Sequence, residues 1–373
     1  MPGRTQLYGD GEGPEDPAPS PPVHYAEQAL LGALLLNPAR LNTLGPLEAV
    51  QFHNPAHAAV FAAMASLPAP EAAVHAKEPV WLTAVHDHAR RDARVLTASY
   101  LHALVQACPA PEHAPAYARI VRADHARRTL RAQAERLVQA ATGSTMPDPA
   151  ATAMTRADAL AGFLDNLASL FPPHPGSLPR TPLPPPPEHD SGAEAAYEER
   201  ALLACAVARP ETLTAMRWLQ ADDFATPLHG QLFRCVAQLA HRGDAVDPVT
   251  VLWEAQHHGL VPSLPPREIL DLVSTPAGAA EHWGERVLQR SLLHQARTAG
   301  LRIRAYTDDP ATSVHQLVTG SRRALADLTA VRARWHHATH PGPAPRAAPT
   351  STAARAGPRS PRTKPASAVR TGR

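Results

Sequence analysis

Apolar side chains recur at helical spacing along most of this chain, and the pattern is written twice. In EQALLGALLLNPARL (27–41), Leu30, Leu31, Leu34 and Leu35 make one apolar face, and Pro38 opens a short second helix. In ERALLACAVARPETL (199–213), Leu202, Leu203, Ala206 and Val207 rebuild that face and Pro210 repeats the proline, every position 172 residues later. The same offset relates FHNPAHAAVFAAM (52–64) to FATPLHGQLFRCV (224–236). Phe52, Pro55, His57 and Phe61 match Phe224, Pro227, His229 and Phe233. Asn54 and Thr226 precede the prolines, where a side-chain oxygen is placed to accept from an orphan amide. Proline at the first helical position gives up no hydrogen bond. Val60, Phe61 and Met64, like Leu232, Phe233 and Val236, follow at helical spacing, so the frame predicts a capped helix start. His57 and His229 fall within reach of the cap. They read as structural donors rather than ligands or bases, because no partner motif stands nearby.

Beyond this frame the offset drifts, as insertions in loops make it do. DPVTVLWEAQHHGLV (247–261) predicts a helix with Asp247 at the cap, Pro248 inside and Gly259 past the end, and EPVWLTAVHDHA (78–89) is its counterpart. YLHALVQACPAPEHAPAYARIV (100–121) matches EILDLVSTPAGAAEHWGERV (268–287). Each copy closes on a helical hairpin, about 114–141 with 149–170 in the first and about 280–306 with 310–335 in the second. Ile120, Leu130 and Leu137 are among the apolar positions of one, and Leu317, Ala324 and Leu328 of the other. Strand-like alternation is not evident, so the expected class is all-α.

Composition divides the chain around these copies. Residues 1–22, rich in Gly, Pro, Asp and Glu, are expected to be disordered; 23–171 hold the first helical domain and 194–335 the second. Between them, 172–193 form a proline-rich linker, PPHPGSLPRTPLPPPPEHDSGA, which spans roughly 68 Å if extended. Residues 336–373 are low-complexity and expected to be disordered. From Pro341 onward seven cations (Arg346, Arg355, Arg359, Arg362, Lys364, Arg370 and Arg373) meet no acidic residue. Removing those seven from 36 basic residues leaves 29 against 34 acidic, so an otherwise acidic body ends in a basic tail. Cys108, Cys205 and Cys235 lack metal-type spacing and read as small apolar residues of a reduced, cytoplasmic protein. No signal peptide or long apolar span is evident, so a membrane role is not expected.

The runs AEQALLGALLLNPARL, QFHNPAHAAVFAAM and YLHALVQACPAP…YARIV resemble the N-terminal domain of DnaB-type replicative DNA helicases, and the second copy follows them in the same order. The resemblance covers both helical domains. It departs from the family's pattern at LPAPEAAVHAK, where a short acidic-glycine turn is usual, and at Arg209, where a capping Asp or Asn is commoner. It implies a compact helical head followed by a hairpin, hairpin-mediated pairing with neighbours, and docking of primase and loader proteins. The family's helicases owe their activity to a C-terminal ATPase domain. A phosphate-binding loop needs G-x-x-x-x-G-K-(S/T), and neither lysine here follows a glycine: Lys77 lies in HAKEP and Lys364 in RTKPA.

Other chemistry finds no foothold. The histidine pairs His336/His340 and His86/His88 have no further ligands of fitting spacing. Asp222-Asp223 and Asp308-Asp309 sit where aspartates cap helices and shape turns. We therefore expect no catalytic, cofactor or metal site. The expected function is a non-catalytic replication adaptor that binds a replicative helicase, a primase or a helicase loader through its hairpins, or self-associates through them. The alternative is a DNA-binding or regulatory protein whose tail makes weak, sequence-blind nucleic-acid contacts. A decayed helicase fragment that merely folds is a third reading.

Overall fold

The computed structural model describes residues 20–340, apart from 72–74, 76, 78–79, 95, 144–146, 173–175, 190, 261–264 and 275–277. The protein is all-α, with no strand among the described residues. In the first copy, α1 (Pro22–Leu36), α2 (Pro55–Ser66), α3 (Val80–Ala89) and α4 (Ala98–Gln106) build a head. The hairpin α5 (Ala114–Thr142) and α6 (Pro149–Leu170) follows. In the second, α7 (Ala193–Ala208), α8 (Pro227–Arg242), α9 (Pro248–His257) and α10 (Pro266–Leu272) lead into α11 (Ala280–Asp308) and α12 (Val314–Thr339). Many of the chain's prolines open these helices, which is where their fixed φ and missing N–H cost least.

Each head buries the apolar faces expected of it. Leu30, Leu31, Leu34, Val60, Phe61 and Met64 lie in one core, and Leu202, Leu203, Leu232, Phe233 and Val236 in the other. The three cysteines form no disulfide, and Cys205 and Cys235 are core residues. The Asp247 side chain caps α9 by accepting from the Val249 and Thr250 amides, and Gly259 follows the helix at φ 71°. Two expectations are corrected. Ile120 is 48% exposed, and its neighbour Val121 takes the core position. Thr226 makes no side-chain cap, although Asn54 accepts from the Ala56 amide at 2.8 Å as expected.

The hairpins pack on each other rather than standing apart. Leu130, Ala134 and Leu137 of α5 share one continuous core with Leu292, Ala296 and Ile303 of α11 and with Leu317, Leu325 and Leu328 of α12. The crossing is tight at Gly300, where a Cβ would fall 2.6 Å from Val138 Cγ2. The second head's core is continuous with this seam, whereas the first head keeps a core of its own that reaches only the start of α5.

Candidate functional site

The repeated frame is held by a residue that it does not contain. Glu27, fully buried on α1, accepts from His57 Nδ1 at 2.7 Å and also from the His53 and Asn54 backbone amides. Glu199 on α7 accepts from His229 Nδ1 at 2.7 Å, from the Ala225 amide at 2.5 Å and from the Thr226 amide at 3.3 Å. Each carboxylate thus takes two orphan amides ahead of a helix and fixes the imidazole one turn in. Burial works against the charge of Glu27, but the His57 ring and the two amides outweigh it and hold the carboxyl below its usual range. The frame's phenylalanines pack as ring pairs, Phe52 on Phe61 at 4.9 Å and Phe224 on Phe233 at 5.2 Å.

The two frames lie in different cores and form no common pocket. Glu27 and Glu199 escape a motif search because an acid inside an apolar helix reads as its polar edge. The signal was present all the same, as both stand at the repeat offset within EQALL and ERALL. Asp223 is likewise committed, accepting from Ser291 Oγ at 2.8 Å, from the Gln220 amide at 2.8 Å and from both terminal nitrogens of Arg334. Asp309 accepts from Thr181 Oγ1 and the Ala311 amide, which hold its carboxyl below the usual range. Among the described residues no three His, Cys, Asp or Glu side chains gather as metal ligands. The tail cations Arg346 to Arg373 lie outside the described residues.

The surface most shaped for assembly is the seam. Arg127 of α5 donates to the carbonyl oxygens of Thr307, Asp309 and Thr312, capping the C-terminal end of α11 from the other copy. One turn on, Arg131 pairs with Asp308 at 2.9 Å. Arg322 and Arg332 of α12 pair with Asp165 and Asp158 of α6. The linker braces the same corner: Thr181 bonds Thr312 as well as Asp309, and Gln316 Nε2 donates to the Leu178 carbonyl. Farther along, the His189 and His294 rings meet at a tilt of 56°, their centroids 3.5 Å apart. Burial, with His189 and Arg297 adding to it, lowers the His294 pKa to about 4.

The two heads match a known family. The family described as DnaB-like helicase N terminal domain matches residues 20–123 and 193–287, together just over half of the chain. The chain belongs to that family. It carries two tandem DnaB-like N-terminal domains, and no other domain is detected in it. Both matches stop within the first turns of a long helix, so the heads carry the DnaB signal while the greater part of each hairpin lies beyond it. No curated protein and no solved structure matches the chain. None of its described helices is long and apolar enough to cross a membrane.

Proposed function

We propose that this chain is a non-catalytic, replication-associated adaptor that offers two helicase-type heads on one pre-paired body. The seam carries the reading. Arg127 and Arg131 close the first hairpin onto the second within one chain, so the inward hairpin faces are already occupied. Membership of the DnaB-like family supports a place in DNA replication. The partners are a replicative helicase, a primase or a helicase loader in the cytoplasm, met through the outward hairpin faces, where Ile120 and Leu170 are exposed. The sequence has no phosphate-binding loop, so a motor is not part of the reading. The test is co-elution of the full chain with each of the three partners in turn at about ten micromolar. A complex with any one supports the adaptor, and free elution from all three removes it.

The basic tail motivates a second reading, nucleic-acid binding through Arg346, Arg355, Arg359, Arg362, Lys364, Arg370 and Arg373. Deleting 341–373 separates the two. The adaptor keeps its partner after the deletion, whereas a tail-dependent DNA binder loses its salt-sensitive affinity.

A further inference from the structure

The duplication has produced one surface groove twice. In the second head its walls include Leu213, Met216, Leu219, Phe233 and Ala237, and its volume is about 460 Å³. Subtracting 172 gives Leu41, Leu44, Leu47, Phe61 and Ala65, which line a groove of about 260 Å³ in the first head. The shared walls follow from the shared fold, but the rims differ. Among the described residues no charged side chain lines the first groove. Glu211 and Asp244 line the second, with Arg217 and His241 as the basic or titratable groups facing them; Asp244 is also paired with Arg242.

The last described turn of the chain ends close to the second groove. Near the end of α12, Arg334 donates to the Trp218 carbonyl at 3.0 Å, and Trp218 sits between Arg217 and Leu219 of the groove wall. The last described residue, His340, is six positions on, about 9 Å along a helix. The segment that follows begins PGPAPR, which spans about 19 Å if extended. Its small apolar side chains suit a shallow apolar groove, and its cations meet the Glu211 carboxylate at the rim. A body carrying 34 acids against 29 cations outside the tail draws the tail inward.

We propose that residues 341–373 dock in cis in the groove of the second head and leave the first head's groove open. A short tether gives the tail a local concentration of order millimolar, so a weak fit suffices. The two duplicated surfaces are then unequal in use, one closed by the chain's own end and one free. This inference does not depend on which replication partner is bound.

Hydrogen exchange on the full chain and on a chain ending at His340 tests it. Docking predicts that amides of 210–219 and 237–246 exchange about threefold faster without the tail, while 38–47 and 65–71 are unchanged; a synthetic 341–373 peptide added at about 1 mM restores the slow rate. Equal exchange in the two chains overturns the proposal, and so does an equal change in both heads, which reports diffuse charge attraction. As an independent check, Ala237→Trp in the full chain fills the groove. Trypsin cleavage after Arg346 then speeds about threefold if the tail had been docked there; an unchanged rate means that it was not.

Discussion

Arg127 of the first hairpin donates to the Asp309 carbonyl oxygen of the second at 2.7 Å, so one copy completes the end of a helix in the other. The same guanidinium takes the Thr307 and Thr312 carbonyls, and burial lowers its pKa from the usual arginine value. Replacing it strands three acceptors at a helix end. Arg127→Ala is expected to lower stability by about 2 kcal/mol in denaturant titration, and Arg127→Lys to recover only part, because an ammonium lacks the planar fork.

Gly300 lies where α11 packs tightly against α5. Any side chain there meets Val138 and the Ala134 carbonyl, at 2.6 and 3.0 Å from the first added carbon. Gly300→Val is expected to cost about 1–3 kcal/mol by overpacking. Val138→Ala should recover part of that loss in the double mutant, since it removes the first clash, and strictly additive losses would place the strain elsewhere.

The Glu27–His57 pair makes an acid-dependent contribution. A carboxylate held below its ordinary value of 4.5 stabilises the fold fully above that value and loses its contribution as pH falls through the lower, folded value. Glu27→Gln should therefore flatten the acid limb of the melting temperature below pH 4.5. Glu27→Ala, which strands two amides and an imidazole in the first head, should cost about 2–3 kcal/mol at neutral pH.

His294 acts in a higher window. Its folded pKa of about 4 lies below the ordinary 6.5, so the unfolded chain binds more protons between these values and stability falls as pH drops from 6.5 towards 4. The group is partly solvated, so the expected loss is on the order of 1 kcal/mol. His294→Gln should remove this slope while leaving the contribution of Glu27 below pH 4.5 in place. Thermal melts over the pH range separate the two.

Duplication made much of this fold readable. Comparing 27–64 with 199–236 separates residues kept for packing from local accident, and the helix starts at Pro55 and Pro227 follow from local chemistry alone. What stayed hidden depends on tertiary distance. Glu199 takes the Ala225 amide from 26 positions away, a distance that no local pattern spans. Arg127 finds its carbonyls 180 or more residues downstream, where no periodicity points. The proline-rich stretch read as a tether by composition, yet Thr181 and Leu178 bond the turn of the second hairpin and the start of α12. Ile120 and Val121 are adjacent, and only the packing of α5 on the first head decides which of them is buried.

The claim that organises the account is that the hairpins pair within one chain. Light scattering on the eluting full chain, across a roughly hundredfold dilution, measures it directly. The account predicts the mass of one chain, 39.8 kDa, at every concentration. Twice that mass, falling towards one chain on dilution, would show that the hairpins seek a second molecule and would contradict it.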